Sequence, residues 1–271
     1  MKKISDDLII IRGGGDIATG SIQKLYRVGF KILILEIEKP SAIRRKVSFC
    51  EAIYDGESII ENIKCVYCKS MEEIENCWKN KVIPIVADPE GKYIEMLKPD
   101  IVIDAVLAKK NMGTSIDMAP GVIGLGPGFD AGKNCHIAIE TMRGHNLGRL
   151  IFSGPTMANT GTPGIIKGVG KERVIYSENA GIIKNISEIG DIVEKDQVIA
   201  KIGENSVKAT ISGVLRGIIR DGYKVPEHFK IADIDPRKEE QGNSFTISDK
   251  ARAVGGAVLE AVFCLLNKEQ V

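Results

Sequence analysis

Gly13, Gly15 and Ala18 stand in a G-x-G-x-x-A arrangement directly after an apolar run, Leu8 to Arg12, and at the start of a helix-patterned segment. Glu36 closes the second apolar run, about twenty residues on, where a dinucleotide fingerprint carries its acidic residue. The chemistry open to such a turn is phosphate binding. Gly13, Gly14 and Gly15 would let the main chain approach a pyrophosphate, the helix would offer free N–H groups, and Glu36 could accept from a ribose hydroxyl. Asp16 competes with that reading. A carboxylate in the first helical turn can take the same N–H groups and would repel a pyrophosphate, so a tight turn capped by Asp16 stands as the alternative.

Cations recur at comparable places. Arg44 and Arg45 follow the second run, Lys109 and Lys110 a later one, Lys133 the Gly126-Pro127-Gly128 loop, and Arg143, His145 and Arg149 the last. Any one of them could be a solvated surface charge. Their recurrence in loops of a chain with net charge +1 points to an anionic ligand. Gly126 and Gly128, with Gly132, offer a second backbone cradle, but no Lys-Ser/Thr pair follows, which argues against a P-loop. Acid–base candidates are Asp104, Asp130, Glu140 and His145. Neighbouring arginines bias His145 toward its neutral, proton-accepting form, with a buried structural histidine as the alternative. Three histidines, His136, His145 and His228, with no HExxH or Cys/His cluster, give no expectation of a protein-held metal. Cys65 and Cys68 form one CxxC in an apolar, strand-like stretch; with no second pair, ligation and redox work are not expected there.

The elements that must position these residues alternate. Strand-like runs at Leu8 to Arg12, Lys31 to Ile37, Val82 to Ala87, Ile101 to Val106, Val122 to Leu125 and His136 to Glu140 alternate with helix patterns at Ile17 to Val28, Met71 to Trp78 and Lys92 to Leu97. That succession predicts an α/β, Rossmann-like domain around a parallel sheet, with ligands at the carboxyl ends of the strands. From about Val174 the text changes to short strands broken by Gly-Asp, Lys-Asp and Asp-Gly turns, a small all-β module similar to the barrel-sandwich fold of biotinyl and lipoyl domains. The hairpin position Gly203-Glu204-Asn205-Ser206 lacks a carrier lysine, and Lys208 falls in a strand, so a docking or positioning role is expected. A capping-box-like start at Thr246-Ile247-Ser248-Asp249 and a stripe of Ala251, Val254, Val258, Val262 and Leu265 predict a final helix, whose Gly255-Gly256 suggests close approach to another backbone or a homo-oligomer contact. The expected division is residues 1–170, 171–240 and 241–271, the last helix packing back on the first domain, with the Gly154 to Gly170 stretch, including Asn159-Thr160-Gly161-Thr162-Pro163-Gly164, as the boundary.

Composition narrows the classes. At 44% hydrophobic and 27% charged the 271-residue chain is not disordered, and 37 basic against 36 acidic residues exclude a broadly polycationic nucleic-acid binder. The apolar run at Leu8 is too short for a signal peptide, and the one from Ala251 to Leu266 is broken by Arg252 and Glu260, so neither export nor a membrane span is expected. Six irregularly spaced cysteines suit a reducing, cytoplasmic setting.

Taken together, Arg12-Gly13-Gly14-Gly15-Asp16-Ile17-Ala18-Thr19-Gly20, Ile43-Arg44-Arg45, Ala108-Lys109-Lys110-Asn111, Ile123 to Phe129, Glu140-Thr141-Met142-Arg143-Gly144-His145, Asn159-Thr160-Gly161 and Asp233-Ile234-Asp235-Pro236-Arg237 resemble the YqeB-type family, accessory proteins of selenium-dependent molybdenum hydroxylase systems. The likeness covers almost the whole chain; Gly14 departs from it, standing where relatives often have alanine. The first domain is also similar, more weakly, to the nucleotide-binding half of XdhC-type chaperones. The resemblance implies a maturation factor that helps install or modify the molybdenum cofactor in a partner hydroxylase, binding molybdopterin or a nucleotide. On that reading Gly13, Gly14, Gly15, Gly126 and Gly128 make backbone contacts, Arg44, Arg45, Lys109 and Arg143 neutralise charge, and Asp16 or His145 handles a proton. An NAD(P)-dependent oxidoreductase using Glu36, and a non-catalytic scaffold gripping the hydroxylase through its β module, are the other readings.

Overall fold

The computed structural model describes residues 6–159, 161 and 167–267, in two compact units. The first comprises the chain up to Pro40, Ser48–Asn159 and the chain from Ile247 on. It contains, in order, β1 (Leu8–Arg12), α1 (Asp16–Val28), β2 (Lys31–Glu36), α2 (Ala52–Asp55), β3 (Glu57–Ile60), β4 (Ile63–Tyr67), α3 (Met71–Lys79), β5 (Ile83–Ala87), α4 (Lys92–Leu97), β6 (Ile101–Asp104), β7 (Gly121–Leu125), β8 (Asp130–Ala131), β9 (Ile137–Ile139), β10 (Leu150–Ile151), β11 (Gly154–Pro155) and α5 (Asp249–Leu266). Nine of the strands make one sheet in the order β10-β9-β7-β6-β1-β2-β5-β4-β3. Only the edge strands β10 and β3 run antiparallel to their neighbours.

Period two explains why these strands read as unbroken apolar runs. Ile9, Ile11, Ile32 and Ile34 enter a core shared with α1 and α5, while Leu8, Ile10, Leu33 and Leu35 enter another with Ile74 and Cys77 of α3 and Ile94 of α4. Both faces are covered, so no alternation with polar residues is possible. The β3–β4 hairpin, not foreseen as such, turns on Glu61 and Asn62 with φ of 45° and 66°, the sense that matches strand twist.

α5 lies against α1 at a backbone-to-backbone contact. A Cβ at Gly20 would collide with the carbonyl of Ala251, and one at Gly255 with the carbonyl of Gly20. Glu61 ties the hairpin to both helices. Its carboxylate accepts from Gln23 Nε2 at 2.6 Å, Ile247 N at 3.0 Å and Arg252 Nη2 at 2.6 Å. Burial pushes that carboxyl upward, but the bonds from Gln23, Ile247 and Arg252 outweigh it and hold it below its ordinary value.

The second unit comprises Ser41–Val47 and the chain between Asn159 and Ile247. Its strands are β12 (Val174–Tyr176), β13 (Gly181–Asn185), β14 (Ile192–Val193), β15 (Val198–Ile202), β16 (Asn205–Lys208), β17 (Gly213–Ile218), β18 (Lys224–Val225) and β19 (Lys230–Asp235). They form two four-stranded sheets, β12-β19-β17-β14 and β16-β15-β13-β18, around a core that includes Ile183, Ile199, Leu215, Ile218 and Ile231. The turn between β15 and β16 carries Gly203 and Glu204 and no lysine.

The division differs from the expected one in two ways. Residues 241–246 stay with the second unit, since Gln241 Nε2 donates to Gly190 O at 2.7 Å and the Phe245 ring fills the place a Gly190 Cβ would take. Ser41–Val47 also belongs there, with Arg45 Nε bonded to Ile218 O at 2.8 Å and Ile43 against Gly217. Of the expected boundary turn, Thr160 and Thr162-Pro163-Gly164 lie outside the described residues. Among the described residues no helix is long and apolar enough to cross a membrane.

Gly255→Ala is expected to destabilise the protein by about 1–3 kcal/mol through overpacking. Gly256→Ala, with open space around its Cβ, should stabilise by roughly 0.5–1 kcal/mol through helix propensity. Urea midpoints moving in opposite directions check the pair. A carboxylate whose folded pKa is depressed adds stability above its unfolded value and loses it as pH falls through the folded one. Glu61→Gln should therefore lower the thermal midpoint at neutral pH, with the gap to wild type closing on acidification.

Candidate functional site

Strand order reverses at β1, which pairs with β2 on one side and β6 on the other. Such switch points open crevices at strand carboxyl ends. The three glycines that follow β1 have three different tasks. Gly13 (φ 94°) lies against β6's exit, where a Cβ would sit 2.9 Å from Ala105 O. Gly14 donates its N–H to Glu36 Oε2 at 2.8 Å and accepts from Cys50 N at 2.9 Å, so its backbone is engaged within the protein. Gly15 caps α1 with φ −67° and no side-chain cap bond, and nothing lies within 4 Å of a Cβ built on it. Asp16 is the first residue of α1 and half-buried.

The β2 side of this turn is filled by the chain itself. Thr19 Oγ1 donates to Gly15 O at 2.9 Å and accepts from Phe49 N at 3.2 Å, seating the Phe49–Glu51 turn on α1. Glu36 also accepts from Ile37 N at 2.9 Å. Burial raises its carboxyl above the ordinary value, against the lowering effect of the Gly14 and Ile37 bonds. Cys50 is pushed well above a normal thiol, first by burial and then by the charges of Glu36, Glu51 and Asp16. These residues make an acidic, closed flank where the fingerprint leads one to expect an adenosine pocket, and they place Gly14 and Glu36 in structural bonds.

The β6 side is different. Arg12 Nη1 lies 3.3 Å from Asp104 Oδ2 in a buried ion pair, Thr114 donates its hydroxyl to the same oxygen at 2.5 Å, and Arg12 also bonds the Thr114 hydroxyl. Val106 N binds Asp104 Oδ1 at 3.1 Å, while Asn111 and Thr114 bond reciprocally. This frame holds a loop in which two non-glycine residues, Leu107 and Lys109, have φ of 56° and 65°. Left-handed backbone in bulky residues carries strain that only such a frame sustains. Lys109 and Lys110 are exposed on it. The β7 loop packs against it: a Gly128 Cβ would lie 2.7 Å from Lys110 Cα, and a Gly126 Cβ 2.5 Å from Thr141 Oγ1. Glu140 accepts from Met142 N at 2.7 Å and Met157 N at 2.8 Å, fastening the β9 exit.

The remaining expected residues are placed as follows. Arg143 makes a bidentate bond to Asp249, at 2.8 and 2.9 Å, joining the β9 exit to the first turn of α5. His145 is exposed, not buried. Asp130 pairs with Lys133 at 2.6 Å. Arg44 and Arg45 lie in the second unit, where Arg44 Nη2 donates to the carbonyls of Asn243 and Thr246 at 3.1 Å each and Arg45 to Ile218 O. Charge in a loop after a strand reads locally as a ligand group; here main-chain carbonyls accept from both arginines. Sequence reading missed Arg12, Thr114 and Cys50. Arg12 carried a signal, being a charge at the end of an otherwise apolar buried strand. A cavity of about 860 Å³ between α4 and residues 115–120 lies toward the strands' amino ends and contains none of the expected site residues.

Fold and site define a mixed α/β protein, with a large parallel-containing sheet, that carries a barrel-sandwich hybrid unit: residues 172–254 match the RND-related barrel-sandwich hybrid domain. The chain is 48% identical over 261 residues to a protein described as uncharacterized protein YqeB of Escherichia coli (strain K12), covering 96% of this chain and 48% of that one. That identity supports the YqeB family, and the chain spans about half the length of the curated relative it matches. A succinylglutamate desuccinylase from Silicibacter species TM1040 is 12% identical, with 84% of each chain covered and a TM-score of 0.26. The product-bound ectoine utilization protein EutE (DoeB) from Ruegeria pomeroyi is 7% identical, covering 83% of this chain and 56% of that one, with a TM-score of 0.23. At those scores neither fold nor chemistry carries over.

Asp104→Asn would leave the Arg12 guanidinium buried without its counter-charge, an expected loss of about 3–5 kcal/mol. Thr114→Val should cost nearer 1 kcal/mol. Chemical denaturation orders the two.

Proposed function

We propose that the protein binds a phosphorylated anion of the nucleotide or molybdopterin class at the carboxyl edge of its Rossmann-like sheet, and that it does so as a maturation factor for selenium-dependent molybdenum hydroxylases. The observation that carries the binding reading is the open, uncapped start of α1 at Gly15, where the strand order reverses. The first turn of a helix has N–H groups with no intrahelical acceptor, and these together with the helix dipole suit a phosphate oxygen. Lys109, on its framed loop, supplies charge, and Arg143, half-exposed and oriented by Asp249, supplies a second fork. Gly13, Gly126 and Gly128 act by letting the loops close on one another. Proton handling is assigned to Asp16, half-buried, and to His145, exposed. The maturation role rests on the family resemblance, with an apo-hydroxylase as the partner it implies.

The same geometry ranks a dinucleotide lower. With Gly14 and Glu36 bonded internally and Cys50 seated on the turn, the ribose and adenine half of NAD(P) would meet carboxylates and main chain in place of a pocket. A ligand approaching from the β6 side avoids them.

Gly15→Asp tests the reading, because its backbone and surroundings admit a side chain and a carboxylate there would cap the helix itself. In calorimetric titrations with ADP, CTP and NAD, wild type should bind a mononucleotide saturably and more tightly than NAD. The variant should lose at least about tenfold in affinity, some 1.4 kcal/mol, with an unchanged or raised thermal midpoint. Equal affinities for variant and wild type would sink the site. Absent nucleotide binding together with co-purification of apo-hydroxylase would favour the scaffold reading instead.

A further inference from the structure

Cys65 and Cys68 are set at CxxC spacing in sequence, but the fold separates them. Cys65 packs in the core with Ile9 and Ile34, and Cys68 in the core with Leu33 and Ile74. The neighbour of Cys68 is Cys77 in α3, with the two Sγ atoms 3.5 Å apart. Local chemistry arranges this meeting. Ser70 caps α3 by accepting from Glu73 N at 3.2 Å, and the Glu73 carboxylate takes Lys69 N at 2.6 Å, which fixes the direction in which the helix leaves the turn. Cys68 N is held by Ile85 O at 2.8 Å, anchoring the other partner to the end of the sheet. Cys77 then comes back over Cys68 from the buried face of α3, the face it shares with Ile74.

Two sulfurs at that separation are in van der Waals contact. Reaching the bonded distance, about 2.05 Å, takes a change in side-chain torsion and little backbone movement. We propose that Cys68 and Cys77 are a reversible thiol–disulfide site, oxidised by a small-molecule disulfide, that clamps α3 to the carboxyl end of β4. Cys77, 8% exposed against 1% for Cys68, is the sulfur a small disulfide reaches first. Its thiolate attacks one sulfur of the reagent; the S–S bond of the reagent breaks and the departing thiolate takes up a proton. Cys68 then gives up its proton and attacks Sγ of Cys77, the mixed disulfide breaks, and the second small thiol leaves. Two protein thiols are oxidised to one disulfide while one small disulfide is reduced to two thiols. In the reduced pair burial, followed by the contact with Cys77 and the charge of Glu73, pushes the Cys68 thiol up to about 12; burial still opposes its ionisation once Cys77 is in the mixed disulfide, so closure quickens with base.

The test uses the full chain, incubated with oxidised glutathione, quenched with an alkylating agent and digested with trypsin. Cleavage after Lys64, Lys69 and Lys79 leaves Cys65 and Cys68 in one peptide and Cys77 in the next. The expected product joins those two peptides with loss of two hydrogens, reverts with dithiothreitol, forms faster at higher pH, persists in Cys65→Ala and is missing in Cys77→Ala. A bond inside the Cys65–Cys68 peptide, a glutathione adduct that never resolves to the cross-link, or wild-type protein left fully alkylatable would each overturn the proposal. The wild-type peptide map decides even if a variant fails to fold.

Discussion

Gly20 and Gly255 let the backbones of α1 and α5 touch, and the position of the candidate site follows from that contact. A methyl group on either would meet a carbonyl of the opposite helix. With both absent, α1 is held over Ile9 and Ile11 of β1, and its first turn falls where the strand order reverses. Each glycine costs about 1 kcal/mol of helix propensity relative to alanine, which the shared burial of Ala251, Val254 and Val258 must offset. α5 joins the first unit only after the chain has passed through the second. The entropy of closing so long a stretch grows only logarithmically with its length, so one well-packed helix pair suffices to complete the core.

Most strands and helices were legible because a sheet covered on both faces writes its strands as continuous apolar runs; Leu8–Arg12 and Ile101–Asp104 are of this kind. The turn at Gly13 to Gly15 was legible for a similar reason, since strand, glycines and helix are adjacent in sequence. What escaped depends on distant partners. Arg44 and Arg45 look like ligand cations until Asn243, Thr246 and Ile218 are brought to them. Cys68 looks paired with Cys65 until the pleat sends them to opposite faces. Ser41–Val47 lies only a few residues beyond β2, and nothing local marks it as part of a β module whose strands begin more than a hundred residues later.

Charge divides the sheet edge. On the β2 side burial raises the Cys50 thiol, and the charges of Glu36, Glu51 and Asp16 raise it further. On the β6 and β7 side Lys109 and Lys110 are exposed, while the buried Arg12 is matched by Asp104. An anion drawn to the start of α1 would therefore be repelled from one flank and attracted to the other. Net charge near zero conceals this, because the asymmetry is local and its range is about a Debye length, some 8 Å at physiological salt.

The carboxylates at this edge also bear on what kind of work it does. A general base needs a lone pair directed at its substrate, within hydrogen-bond reach. Glu36 holds Gly14 and Ile37, Asp104 holds Arg12, Thr114 and Val106, and Glu140 holds Met142 and Met157; each is a fastener between loops. Removing a proton from a substrate would require one of them to release its loop. On the proposed reading, a site whose Glu36, Asp104 and Glu140 are committed to shape and whose strained lysine loop is framed by a buried ion pair would hold an anion in a fixed pose. In that proposal the arrangement would suit capture and hand-over of a phosphorylated cofactor better than repeated proton transfer, and any chemistry at the ligand would fall to Asp16, to His145 or to a partner.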